Sequence, residues 1–243
     1  MNPMLKMRLA NKGRGEFRAE GGTLWLYDVI AGDEDEAMWM GGVSPRQFIA
    51  ALAETSGPVT LRLNSPGGSV FGAQAMVAAM RAHPEPITAQ VDSLAASAAS
   101  VIAAEAAECV MAPGSMLMVH KAWGMTIGNA DDHAQVGALL SKIDGQIAAT
   151  YARRAGEDDP EKYMAMMAAE TWLDADEAVA AGLADRVIDA NTQRPAARWD
   201  LSAYAAAPWA PVPEPEPEPA SMQDELRQAR QRRVAARLVA DPI

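Results

Sequence analysis

Residues 59–76 read VTLRLNSPGGSVFGAQAM, and three local signals follow one another within this one stretch. Val59 to Leu63 alternates apolar and polar side chains, the two-residue period of a half-buried strand. Asn64-Ser65-Pro66-Gly67-Gly68 is a dense turn signal. From Val70 to Ala82 the apolar residues return at helical spacing. A strand, a turn and a helix in that order form one unit of an α/β fold.

The same alternation continues outward on both sides. Upstream, GGTLWLYDVI (21–30) has strand composition, and residues 33–36 read as an acidic turn. Ser44-Pro45 opens a helix with Phe48, Ile49 and Leu52 on its apolar face, and Gly57-Pro58 ends it. Downstream, strands are expected at 87–91, 108–111 and 116–120, around an alanine-rich run at 94–107 and a turn at 112–115. Residues 131–154 predict one long amphipathic helix with Val136, Leu139, Leu140, Ile143, Ile147 and Tyr151 on one face. Shorter helices follow at 161–169 and from 176 to 181, the latter closed by Gly182, and a last strand spans 185–188. Strands alternating with helices imply a sheet with helices packed on it.

The 243 residues suffice for a full hydrophobic core, and 51 of them are alanine, so the composition leans helical and closely packed. A net charge of −11 argues against general nucleic-acid binding, which needs a basic face. Cys109 is the only cysteine, which excludes an internal disulfide and a cysteine-built zinc cluster. No apolar run is long enough to span a bilayer, and the N-terminal stretch lacks the apolar core of a signal peptide. A soluble, cytoplasmic protein without membrane partner is expected.

Composition changes after residue 189. Six of the 16 prolines fall at 208–219, where Pro alternates with Glu in a pattern that favours an extended, solvated chain. Residues 221–240 carry five arginines against two acids. Three regions are expected: a domain over 1–190, a Pro/Glu-rich linker over 191–220 and a basic, weakly helical tail over 221–243.

Chemistry has few places to sit. There is no GxxxxGK[ST] loop and no GxSxG elbow. Of three histidines, His83 and His133 lie in polar surroundings, whereas His120 ends the apolar strand MLMVH before a glycine-containing loop. On spacing alone His120 reads equally as a general base or a satisfied structural histidine. Ser93, Ser97 and Ser100 sit in or beside the alanine run. A serine at a helix start gains from the helix dipole, but small residues there are also what tight helix packing requires. Gly67-Gly68 can present backbone N–H groups to an anion or form an ordinary turn.

Taken in order, these segments resemble the proteolytic subunit of the Clp protease. LRLNSPGGSVFGAQAM resembles the strand, turn and helix of that family, and VDSLAASAASVIAAEA its nucleophile segment. MLMVHKAWGMTIGNADD resembles its histidine segment and the start of its long handle helix, and ETWLDADEAVAAGLADRV its closing pattern. The wording MLMVH, GNADD and ETW-x-x-A-x-EA-x-x-AGLAD is closest to the Clp-like proteases of phage and prophage genomes that act in head maturation.

The resemblance implies a ClpP/crotonase-like α/β fold, a spiral of ββα units with a long handle helix, and a serine endopeptidase needing no cofactor or metal. Carried over by position, Ser97 is the nucleophile, His120 the general base and Glu170 the third, acidic member. The backbone N–H groups of Gly68 and Ala98 would form the oxyanion hole. Substrate would lie extended between Gly67, Gly68, Ser69, Val70 and Phe71 on one side and Lys121, Ala122 and Trp123 on the other. The chain departs from the family pattern at Ser93 and Ala98, where the family has glycine and methionine, and at Glu170, where it has aspartate.

Further implications are a homo-oligomer built of heptameric or stacked rings, a protein or peptide substrate such as capsid or scaffold protein, and an AAA+ ATPase as a compatible partner. Two other readings share parts of the pattern. A crotonase-fold acyl-CoA enzyme would use the glycine turn on a thioester, and a catalytically silent ring would organise capsid assembly. A Ser–Lys dyad is disfavoured because the chain has five lysines and Lys121 would point away from His120.

Overall fold

The computed structural model describes residues 2–188 and 199–208. The chain divides into two compact units, Met1–Val212 and Pro213–Ile243. The second unit, and with it most of the expected linker and all of the expected tail, lies outside the described residues. Residues 199–208, which the composition placed in the linker, belong to the first unit.

The stretch 59–76 folds as its pattern requires. β3 (Val59–Ser65) runs into the glycine turn, and α4 (Val70–Ala82) starts under a Ser69 cap that accepts from Gly72 N–H. Before it come α1 (Pro3–Asn11), the antiparallel hairpin of β1 (Glu16–Glu20) and β2 (Thr23–Tyr27), α2 (Glu34–Met40), and α3 (Pro45–Ala53). Ser44 caps α3 with Pro45 at its first position, as expected.

After α4 come β4 (Ile87–Ala96), α5 (Ala98–Glu105), β5 (Glu108–Met111), β6 (Met116–Val119) and α6 (Ala130–Arg154). The described domain then ends with α7 (Glu161–Ala168), β7 (Thr171–Asp174), α8 (Ala175–Ala180) and β8 (Arg186–Val187). The strands form one sheet in the order β1-β2-β3-β4-β5-β8, with β6 and β7 branching from β4. Parallel pairs β2–β3, β3–β4 and β4–β5, joined by helices, give the mixed α/β architecture expected from the sequence.

Three local expectations need correction, and one strand was not expected. The acidic turn at 33–36 is the start of α2: Asp33 caps it by accepting from Glu36 N–H, and three acids fall in its positive first turn. The strand expected over 21–30 is only Thr23–Tyr27, because the segment up to Ile30 leaves β2 to bridge Val43 and Gly68. β1 carries no strand signature, because its EFRAE sequence is polar and mostly exposed on a sheet edge. The strand expected over 87–91 runs on to Ala96, since Ala95 and Ala96 pair with Leu117 and Met118 of β6.

β4 is what positions the site. Its first half, Thr88 to Val91, pairs with β5, and its second half, Leu94 to Ala96, pairs with β6. One strand thereby pairs with β5 and then with β6, and its end lies beside the end of β6. α5 is almost wholly buried behind this junction, where alanine side chains let the helix approach the sheet closely. Cys109 on β5 is fully buried, and burial pushes its thiol up to about 12.

Candidate active site

Ser97 lies between β4 and α5, and its backbone is unusual. It takes φ 55°, a region costly for a side chain with a Cβ. Its N–H donates to Met118 O at 2.9 Å, and its own carbonyl accepts from both the N–H and the hydroxyl of Ser100. A serine at a helix N-cap ordinarily bonds an N–H of the first turn. The Ser97 side chain makes no such bond. Its Oγ instead lies 2.7 Å from Nε2 of His120, the residue that follows β6.

The glycine turn closes on this pair from the other side. Gly67 has φ 93°, and a Cβ there would stand 2.6 Å from Ala96 O and 2.7 Å from Ser97 Cβ. Gly68 has φ 147°, and its Cβ would fall 2.0 Å from Ile30 O. Only glycine fits either position. Ile30 N–H donates to Gly67 O, and Ser69 N–H donates to Ile30 O, which pins the turn beside Ser97. Among the described residues Gly68 N–H has no acceptor. Ala98 N–H opens α5 and has no intrahelical acceptor. The segments that flank Ser97 thus each carry an N–H without a backbone acceptor among the described residues, Gly68 in the turn and Ala98 at the N-terminus of α5, donors of the kind a developing oxyanion needs.

Burial pulls His120 below the ordinary histidine range, while the negative charges of Glu170 and Asp144 push it back up. Glu170 shares with Ser97 the distinction of positive φ, at 50°. No other non-glycine residue among those described has it. The Glu170 carboxylate accepts from the N–H groups of Ala205 at 3.0 Å and Ala206 at 2.6 Å, and from Trp172 Nε1 at 3.4 Å. Among the described residues no hydrogen bond joins Glu170 to His120, so their interaction is through charge.

A cavity of about 440 Å³ opens beside Ser97 and His120, with Phe71, Ile143, Tyr151 and Tyr204 in its wall. Gly67, Gly68, Ser69, Val70 and Phe71 line it, as do Ala122 and Trp123. Lys121 does not. Its side chain is exposed and its N–H is tied to Met167 O. Of the other polar residues considered, Ser100 is buried against the Tyr151 hydroxyl, and His83 bonds Thr55 and the Glu85 carbonyl at the end of α4. His133 is exposed on α6. No group of His, Cys, Asp and Glu able to hold a metal ion occurs among the described residues. No helix among them is long and apolar enough to cross a membrane.

Two contributors had weak sequence signals. Asp144 accepts from Ala122 N–H at 2.7 Å and so anchors the loop after His120. It is an acid on the otherwise apolar stripe of α6, one helical turn from both Leu140 and Ala148, and that misfit was its only mark. The Tyr204 and His120 rings pack in a T, with centroids 5.2 Å apart. Tyr204 sits in an alanine- and proline-rich stretch with no periodicity to announce it.

A sequence model of the Clp protease family matches residues 43–191. The ATP-dependent Clp protease proteolytic subunit of Leuconostoc citreum (strain KM20) is 26% identical over 171 residues, covering 69% of this chain and 84% of that protein. Its counterpart from Pleurastrum terricola is 30% identical over 160 residues, 59% of this chain and 78% of that protein. That of Streptococcus pneumoniae (strain 70585) is 27% identical over 196 residues, 78% of this chain and 99% of that protein.

Proposed function

Because the chain belongs to the Clp protease family, we propose that it is a serine endopeptidase working through Ser97, His120 and Glu170. The observation that carries this reading is the 2.7 Å contact between Ser97 Oγ and His120 Nε2, with the serine held at positive φ. His120 Nε2 takes the Ser97 proton as Oγ attacks a peptide carbonyl. The oxyanion is received by the N–H groups of Gly68 and Ala98. His120 then protonates the leaving amine, and water repeats the sequence on the acyl-enzyme. The charge of Glu170 stabilises the imidazolium formed in each half-reaction. An acyl-CoA reaction would leave the Ser97–His120 contact without a task.

The substrate is an extended polypeptide laid along residues 67–71 and the loop at 121–123, recognised by its main chain. The wording of the motifs favours capsid or scaffold protein as substrate, in head maturation in a host cytoplasm. The exposed apolar residues Met125 and Ile127, before α6, and Leu139 on it support assembly into rings of identical subunits. An AAA+ ATPase partner is compatible with the relatives, which are named ATP-dependent. Residues beyond 208 are assigned as a tether for substrate or scaffold.

Mass spectrometry of the purified protein, with and without candidate capsid protein, tests the reading. New peptides and fluorophosphonate labelling are expected for the parent chain and not for Ser97→Ala. Labelling that persists in Ser97→Ala overturns the assignment of the nucleophile.

A further inference from the structure

The family match ends at residue 191, yet the active site does not. Residues 199–208 return to it as a strap with three buried anchors, Trp199, Leu201 and Tyr204. Trp199 Nε1 donates to Asn64 Oδ1 at 2.9 Å, and Tyr204 Oη donates to Pro66 O at 2.7 Å, so the strap is fastened to both ends of the segment leading into the glycine turn. Its anchors pack with Leu94, Ala96, Met118 and Met7. Ala96 directly precedes Ser97, and Met118 supplies the carbonyl that holds Ser97 N–H.

Two further contacts reach the reacting groups. The Tyr204 ring packs T-shaped against His120, and the Ala205 and Ala206 N–H groups donate to the Glu170 carboxylate. The strap is itself clasped by α1. Asn11 Nδ2 donates to Asp200 O and Asp200 N–H donates to Asn11 Oδ1, both at 2.8 Å, an amide pairing that mimics a strand ladder.

We propose that residues 199–208 are a working wall of the active site, with Tyr204 a positioning residue for the His120 ring and the Ala205 and Ala206 N–H groups the fixing donors for Glu170. The strap is not a plug. Among the described residues none of its hydrogen bonds goes to the main chain of 68–71 or 121–123, the two edges assigned to substrate. It covers the flank of the His120–Glu170 pair, and Tyr204 is its one residue in the cavity wall. Its amides compensate a difference from the family pattern, because they restrain a glutamate, with one more rotatable bond, where the family has an aspartate.

The proposal rests on the endopeptidase reading, and its test separates the two. Full-length parent, Tyr204→Ala, Tyr204→Phe and Tyr204→Leu are compared for peptide hydrolysis, and His120 is titrated by NMR in the parent, Tyr204→Ala and Tyr204→Phe. Misplacing the base lowers turnover, so Tyr204→Ala should lose kcat by about 10-fold to 100-fold with KM little changed. The groups that face His120 are Ser97 from the end of β4, Glu170 before β7, Asp144 from α6 and Tyr204 from the strap. Removing the ring admits water and leaves both carboxylates in place, so His120 should titrate at higher pH in Tyr204→Ala.

Tyr204→Phe keeps the ring but removes the hydroxyl that donates to Pro66 O and interacts with Ser97, so its kcat should fall less than that of Tyr204→Ala and its His120 titration should stay nearer the parent's. Tyr204→Leu keeps the buried volume apolar, so it reads the loss of the ring even where the alanine variant does not fold. Parent-like kcat in Tyr204→Leu, an unmoved titration in Tyr204→Ala, or equal losses in the alanine and phenylalanine variants overturn the wall. A parent chain with no Ser97-dependent hydrolysis overturns the endopeptidase reading instead, and the titration still decides the wall.

Discussion

At Ser97 the backbone is as specialised as the hydroxyl. The positive φ costs about 1–3 kcal/mol, and in exchange Oγ faces His120 Nε2 instead of capping α5. Gly67 is part of the same adjustment, since any Cβ there meets Ser97 Cβ and Ala96 O. Gly67→Ala should therefore lower kcat by about 100-fold or more, checked by steady-state hydrolysis with thermal unfolding as the folding control. Burial holds His120 neutral below its ordinary range. A base must be neutral to act, so the acid limb of kcat/KM should lie below the usual histidine value of about 6.5. Glu170→Gln removes a charge that raises His120, so it should move that limb to still lower pH while reducing kcat by about 10-fold to 100-fold. The Ser97 and His120 positions were legible because their neighbours carry turn and small-residue signals in family order. Tyr204 was not, because its role comes from a contact more than eighty residues away in sequence.

Among the elements, α6 shows how one periodic pattern can serve two environments. The apolar stripe was legible along its whole length, but only Ile143, Ile147 and Tyr151 are buried, while Leu139 remains 47% exposed. Periodicity identifies the face and not what covers it. β4 is the opposite case. Its extension to Ala96 depends on pairing with β6, which local propensity does not encode. On the β3–β4 pair, Arg62 grips the buried Asp92 carboxylate with Nε at 2.7 Å and a second nitrogen at 2.8 Å, and Tyr27 donates to the same carboxylate. Arg62→Met would leave that charge without its cation, and a loss of about 3–5 kcal/mol in chemical denaturation is expected. No part of this network was marked in the sequence, where Arg62 reads as the polar position of an alternating strand.

For the whole molecule, the exposed apolar residues before and on the first half of α6 are the surface on which the proposed assembly into rings is tested. Ile127 is 92% exposed and Met125 66% exposed, beside Leu139. Ile127→Asp with Leu139→Asp should shift sedimentation velocity from an assembly toward the monomer, with thermal unfolding little changed because neither side chain is buried. The clasp between α1 and the strap joins residues 189 positions apart. Its geometry has a consequence in time. A chain being synthesised contains Ser97, His120 and Glu170 before the residues that wall them in exist, so the full site is assembled only after Tyr204, Ala205 and Ala206 have been made. If the proposed endopeptidase and wall readings hold, a nascent chain would be a poor enzyme until nearly all of its own folded domain is present to resist cleavage.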